Sequence, residues 1–291
     1  MDSCTNLSDL LDKSTRDKDR QASVKTSVMQ LLNSTSLRMT PPGLTKALIG
    51  DHPHLTKMMI RQAIKSLVEH GDLTYSDRFG RTYIEVNYFR VLRITDRITL
   101  SPPNCRPDIR PGDILIRINH GASFGMGDHP STRIALRGVE YAMTRLVSGR
   151  ESHLITALDI GTGSGVLAIA SIKLGAAKAY GLDLDPLACH EARKNVTLNR
   201  LDAFVSIHET DLERFNGERC ELIMANLRPP TLKQIIPLLR QYSALSAFWI
   251  FAGFREEESH GFDALLTGIS AKVIWQHSEH GWSGMVVALE N

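Results

Sequence analysis

The stretch Leu158-Asp159-Ile160-Gly161-Thr162-Gly163-Ser164-Gly165 constrains this chain more than any other. The residues leading into it (Leu154, Ile155, Ala157, Leu158) are apolar and read as a buried strand. Glycines then alternate through a tight turn, and the apolar run from Val166 to Ile172 reads as the start of a helix. A helix start of this kind leaves backbone N–H groups unpaired, and they form a polar cradle. About twenty residues further on, a second apolar run, Ala179-Tyr180-Gly181-Leu182, ends at Asp183. A carboxylate at a strand end, at that distance, suits a ribose diol.

The details separate the nucleotide-like ligands. The dinucleotide fingerprint wants a third glycine at position 166, where this chain has Val166. Asp159, just before the first glycine, would sit badly beside a pyrophosphate and suits a ligand with a cationic end. S-adenosylmethionine carries an ammonium and a sulfonium and no phosphate, so it is the expected ligand. A dinucleotide and a purely structural turn are the alternatives.

From Leu154 onward strands and helices alternate. Strands are expected at 154–158, 179–183, 204–208, 222–225, 248–252, 271–276 and 284–289, and helices at 165–174, 186–198, 230–239 and within 257–267. Such alternation implies a mostly parallel sheet with helices on both faces. Ligands then sit beyond the carboxyl ends of the strands. Asp159, Asp183, Asp211 and Asn226 all fall at or just after expected strand ends, which places them around one pocket.

The N-terminal part reads differently. Residues 1–23 are polar and charged, and a flexible tail or a short exposed helix is expected. Residues 24–88 read as a small domain of three helices and a hairpin. Val24 to Leu32 is the first helix, Pro41-Pro42-Gly43 its exit, Leu44 to Ile49 the second helix and Leu55 to His70 the third. The hairpin follows, with Asp77 to Gly80 near its tip. This order resembles a winged-helix domain. On the third helix Lys57, Arg61 and Lys65 recur every fourth residue and share one face, and Arg78 and Arg81 flank the hairpin tip. Nucleic-acid contact, protein recognition and dimer packing are all open to such a unit, and a solvated face is the plain alternative. Residues 89–122 read as a linker with short strands: Phe89 to Leu100 alternates, prolines interrupt, and Ile114 to Ile118 is a second short strand. The loop Phe124 to Thr132 then opens a helix from Arg133 to Leu146, with Ser131 or Thr132 as its cap.

Composition excludes several classes. The 291 residues are enough for two domains, and 42% hydrophobic with 23% charged residues is ordinary for a globular protein. A net charge of +2 demands no polyanion. Cys4, Cys105, Cys189 and Cys220 are scattered, so neither zinc nor a disulfide framework is expected. A reducing, cytoplasmic setting fits. No apolar run approaches membrane-spanning length, and the polar N-terminus has no signal-peptide core.

Four stretches together resemble a known family. They are Phe124-Gly125-x-Gly127-x-His129-Pro130-x-Thr132, the glycine turn itself, Lys173 to Ala179 running into Gly181-Leu182-Asp183-Leu184-Asp185-Pro186, and Ala225-Asn226-Leu227. From about residue 112 to 291 the chain resembles the PrmA family of ribosomal-protein lysine methyltransferases. The resemblance implies an α/β fold, a Rossmann-like class I methyltransferase domain over 123–291 with a mostly parallel seven-stranded sheet. It implies S-adenosylmethionine as cofactor, held through the positions matching Thr132, Gly161, Asp183 and Asn226. Gly161, with Gly163 beside it in the turn, would let backbone approach the methionine end, and Asp183 would accept from the ribose hydroxyls. Asn226 would lie nearest the transferred methyl, and Asp211 would reach the adenine amine. Asp185 is expected to cap the helix after Pro186.

Two departures bear on the acceptor. The family's N-terminal domain is ferredoxin-like and docks the ribosomal protein, whereas here a winged-helix-like unit stands in its place. After Asn226 comes Leu227-Arg228-Pro229-Pro230 rather than the Pro-Pro-aromatic run of many amine-directed enzymes, which disfavours a nucleobase acceptor. The expected function is N-methylation of a protein amine, a lysine or an N-terminus, without a metal. Asn226 would orient the amine, and His129 would be base or loop anchor. The alternatives are a small-molecule methyltransferase whose N-terminal domain makes a homodimer, and a nucleic-acid-binding methyltransferase or regulator.

Overall fold

A computed structural model describes residues 7–35, 37–78, 80–87, 90–119, 121, 123–149 and 155–289. The chain divides into two compact units, Met1–Arg90 and Val91–Asn291.

The first unit holds α1 (Leu7–Ser34), α2 (Pro41–Asp51), α3 (Lys57–Glu69) and an antiparallel hairpin of β1 (Leu73–Arg78) and β2 (Arg81–Val86). Helix α1 begins at Leu7, well before the expected Val24. The charged stretch contains no glycine or proline, and its lysines, arginines and other straight-chain residues propagate a helix readily. Pro41 and Pro42 open α2 rather than close α1. Thr40 caps that helix by accepting from the Gly43 N–H at 3.2 Å, and the first helical turn needs no N–H from proline. Thr56 caps α3 in the same way. The stripe Ile60, Ala63, Ile64 and Leu67 packs with Val24, Val28, Leu44, Leu48, Leu73 and Ile84 into one core.

The second unit begins with a sheet of β3 (Leu92–Arg93), β4 (Ile98–Ser101) and β5 (Ile114–Arg117). Then come α4 (Pro130–Gly149), β6 (Thr156–Ile160), α5 (Val166–Lys173), β7 (Lys178–Asp183), α6 (Pro186–Leu198), β8 (Val205–Glu209) and β9 (Cys220–Asn226). The chain ends with α7 (Pro229–Ile235), β10 (Ser243–Arg255), α8 (Asp263–Gly268), β11 (Ala271–Glu279) and β12 (Trp282–Leu289). The seven-stranded sheet has the order β11-β12-β10-β9-β6-β7-β8. Strands β6 to β10 are mutually parallel, and β12 runs antiparallel between β10 and β11. This is the Rossmann-like α/β architecture.

The order reverses between β6 and β9. From β6 the chain winds outward to β7 and β8, then returns to the other side of β6 as β9. Neighbouring loops diverge at such a point and leave a crevice at the carboxyl ends.

The short strands expected within 89–122 are present, and they belong to a core rather than to a connection alone. Ile98, Leu100, Ile114, Ile116 and Ile118 lie in the same core as α4 and α5. Two expectations need correction. The single strand expected from Phe89 to Leu100 is broken, because Arg93 turns the chain by donating to the Asp96 carbonyl and to Asp113. Helix 230–239 ends as an α-helix at Ile235 and continues as a 3₁₀ segment, Ile236–Tyr242, at Pro237. Phe89 and Leu154 lie outside the described residues. Among the described residues, no helix is long and apolar enough to cross a membrane.

Ile116 is fully buried between these layers. Ile116→Ala should lower the unfolding free energy by about 2–5 kcal/mol in a denaturant titration. A loss below about 1 kcal/mol would mean that this segment is not part of the core.

Candidate functional site

The site is built on the glycine turn. Gly161 and Thr162 both donate their N–H groups to the Leu182 carbonyl at 2.8 Å, which binds the turn to the end of β7. The Asp183 carboxylate accepts from the Gly163 N–H at 2.9 Å and from the Asp185 N–H at 3.0 Å. Gly163 has φ +54, and a Cβ there would stand 2.5 Å from the Phe124 carbonyl oxygen. Only glycine combines that backbone conformation with so close an approach. Ser164 donates from its N–H to the Phe124 carbonyl and from its Oγ to the Gly125 carbonyl, both at 2.8 Å. The turn therefore joins β6, β7 and the 124–132 loop.

A cleft of about 560 Å³ opens over this turn. His129, Gly161, Gly163, Asp183 and Asn226, all expected from the sequence, line it together. Gly161 serves the close approach of a side chain: a Cβ there would overlap Leu227 Cδ2, so Leu227 rather than open space sits against it. Asp185 also lines the cleft and caps α6, accepting from the Leu187 N–H at 2.9 Å.

Thr132 and Asp159 stand behind the cleft wall. Thr132 is fully buried, and its Oγ1 lies 3.5 Å from Asn226 Nδ2. Asp159 is also fully buried; one carboxylate oxygen accepts from Thr162 Oγ1 at 2.7 Å and from the Ala168 N–H at 3.3 Å. The other oxygen, Oδ1, has no partner, and neither does Asn226 Oδ1. Buried acceptors left unpaired are costly and point to a partner supplied from outside the chain. Burial pushes the Asp159 carboxyl up to about 7, partly offset by Thr162 and Ala168 and reinforced by the charge of Asp183. A cationic group bound over the turn would favour its ionised form.

Asp211 is not among the residues lining this cleft. Its carboxylate accepts from the Arg214 N–H at 2.8 Å, closing its own turn.

His129 caps α4, in place of the expected Ser131 or Thr132. Its Nδ1 accepts from the Ser131 N–H at 3.2 Å and lies 2.8 Å from Ser131 Oγ, while Pro130 takes the first helical position. Burial lowers its pKa against the opposing charge of Asp128, and the charges of Arg133 and Arg255 add to the lowering. An Nδ1 that accepts from the Ser131 N–H leaves Nε2 as the position for a proton on the neutral ring. Neither nitrogen then has a free lone pair, so the geometry favours loop anchor over base. The ring sits edge-to-face between Phe124 (5.0 Å) and Trp282 (4.6 Å).

Several contributors were not read from the sequence. Trp282 starts β12, and the Arg255 guanidinium lies 4.1 Å over its ring. A tryptophan after a hairpin glycine gives no periodic signal. Asn195, buried on α6, donates to the Ser164 carbonyl and accepts from the Asn119 N–H, both at 2.9 Å. Arg133 donates to Glu279 and to the carbonyls of Gly127 and Asp128, tying the loop to β11.

The raised Asp159 pKa has a measurable consequence. Between pH 4 and 7 the folded protein holds a proton that the unfolded chain releases, so this group's contribution to stability falls as pH rises and levels off above about 7. Melts of the wild type and Asp159→Asn should differ by an amount that changes by up to about 4 kcal/mol across that window. A pH-independent difference would contradict the assignment.

Comparison with known proteins supplies the family. The family model described as ribosomal protein L11 methyltransferase (PrmA) matches residues 57–289. The ribosomal protein L11 methyltransferase of Geotalea daltonii is 31% identical over 211 residues, covering 70% of this chain and 65% of that protein. The enzyme of the same name from Pelobacter propionicus is 35% identical over 170 residues, 58% of this chain and 53% of that one. Among solved structures, the ribosomal protein L11 methylase of Lactobacillus delbrueckii subsp. bulgaricus superposes with a TM-score of 0.62 at 25% identity, over 70% of this chain and all of that one. The alignments thus span about two thirds or less of the length of these curated relatives. With a family model covering most of its length and a glycine turn, Asp183 and Asn226 gathered on one cleft, the chain belongs to the ribosomal protein L11 methyltransferase (PrmA) family.

Proposed function

We propose that this protein is an S-adenosylmethionine-dependent N-methyltransferase whose acceptor is a protein amine, a lysine side chain or an N-terminus. The observation that carries the reading is Asn226. Its Oδ1 is buried and unpaired, and the residue lines the cleft one strand over from the glycine turn. The relatives' names, all ribosomal protein L11 methyltransferases, support a protein acceptor. A cytoplasmic setting goes with it, and Cys105, Cys189 and Cys220 are free thiols.

The residues fit the methyl donor. Asp183 faces the cleft with two carboxylate oxygens, each able to accept more than the one backbone bond it already has, and would take the ribose hydroxyls. Asp159, behind the turn, provides the negative charge for the methionine ammonium. When bound, S-adenosylmethionine supplies a methyl group on a sulfonium that is already activated.

The chain's work is then alignment and exclusion of water. Asn226 Oδ1 accepts from the acceptor amine and points its lone pair, while Thr132 fixes the Asn226 amide from behind. Phe124, His129 and Trp282 form an aromatic wall at the mouth, a surface that tolerates the aliphatic stem of a lysine and attracts its ammonium. The amine must lose its proton before transfer. With His129 engaged at Nδ1, that proton goes to water at the open cleft.

Isothermal titration should detect S-adenosylmethionine binding to the wild type and at least a 10-fold loss in Asp183→Ala with the fold retained. Asn226→Ala should cut turnover by about 100-fold while changing donor affinity little. Labelled-methyl transfer into cell extract, with separate protease and nuclease digestion, reads the acceptor. Label lost only to nuclease would refute a protein acceptor.

A further inference from the structure

The N-terminal unit carries a concavity of about 820 Å³ that the methyl-transfer reading does not use. Lys46 of α2 and Lys57, Arg61 and Lys65 of α3 stand around it, and among the described residues no aspartate or glutamate lines it. Lys65 meets Glu69 at 3.7 Å, but both side chains are exposed and such a pair holds little. The floor is apolar, with Ile49, Ile64 and the ring of Tyr75, itself half exposed.

Shape and chemistry select among polyanions. A duplex is read by an element that protrudes into its groove. Here the cationic face of α3 forms one side of a recess shared with α2 and β1. A single strand is held by successive aromatic platforms, and among the described residues Tyr75 is the one aromatic ring in the lining. A phosphodiester chain also brings no aliphatic groups to cover Ile49 and the half-exposed ring of Tyr75.

An extended acidic peptide meets all three conditions. Lys57, Arg61 and Lys65 are spaced four residues apart, about 6 Å per step along the helix. Alternate residues of an extended chain are about 6.6 Å apart on one face. Carboxylates at every second position therefore keep step with the three cations, and the intervening apolar side chains turn toward the floor. We propose that this groove binds an extended peptide segment in which acidic and apolar residues alternate.

The test is fluorescence anisotropy on the full chain with three labelled probes at nanomolar concentration: the 12-residue peptide (Glu-Leu-Glu-Ala)₃, a 12-nucleotide oligouridylate and a 20-base-pair DNA duplex. The peptide should bind with a Kd tighter than about 1 mM and at least 10-fold tighter than either nucleic acid. Lys57→Glu/Arg61→Glu should weaken it at least 10-fold, and Tyr75→Ser at least 3-fold. Circular dichroism melts check that the variants fold, and Lys57→Gln/Arg61→Gln replaces the reversal if it does not. Tighter binding of either nucleic acid, no peptide binding, or binding indifferent to these substitutions would overturn the proposal. Because the readout is binding at the first unit, its failure leaves the methyl-transfer reading standing, and the reverse also holds.

Discussion

The second unit depends on the hydrogen bonds that close the glycine turn at residues 161–165. Two N–H groups on the Leu182 carbonyl and one on the Asp183 carboxylate lock the end of β6 to the end of β7. Ser164 and the close packing at Gly163 add the 124–132 loop. Asn195 reaches the same turn from α6. Four elements that are distant in sequence thus meet at one point, which is the crevice made by the reversal of strand order between β6 and β9. Geometry there is over-determined, as a site that works by alignment requires.

The cost of this arrangement is concentrated in two polar atoms. Asp159 Oδ1 and Asn226 Oδ1 are both buried without partners. They lie at the ends of adjacent strands, β6 and β9, on the two sides of the reversal. Each penalises the empty protein by an amount of order 1–3 kcal/mol. An acceptor amine that offers an N–H would relieve Asn226, and a cationic group over the turn would favour the ionised form of Asp159. On this reading the unmet bonds form part of the driving force for assembling donor and acceptor.

Much of the second unit was legible. Gly161, Gly163, Asp183 and Asn226 could be found because a parallel sheet delivers residues at strand ends to one edge, and strand ends show as apolar runs stopping at a polar residue. Asp211 met the same criterion yet folds back on Arg214, because a carboxylate two residues past a strand has enough chain to close its own turn. Trp282 and Asn195 were illegible for the opposite reason. Their places are fixed by tertiary contacts, and an isolated tryptophan or asparagine carries no local pattern. The prolines at 41, 42 and 102–111 misled in both directions. Next to Thr40 they start a helix, and between β4 and β5 they read as a linker although the short strands on either side are core.

The account rests on one placement: the nucleoside of the methyl donor lies over the glycine turn with its ribose on Asp183. A crystal structure of the full chain with S-adenosylhomocysteine tests it directly. Both ribose hydroxyls should be within hydrogen-bond distance of the Asp183 carboxylate, and the sulfur should face Asn226. A ligand bound elsewhere, or one whose ribose leaves Asp183 untouched, would contradict it.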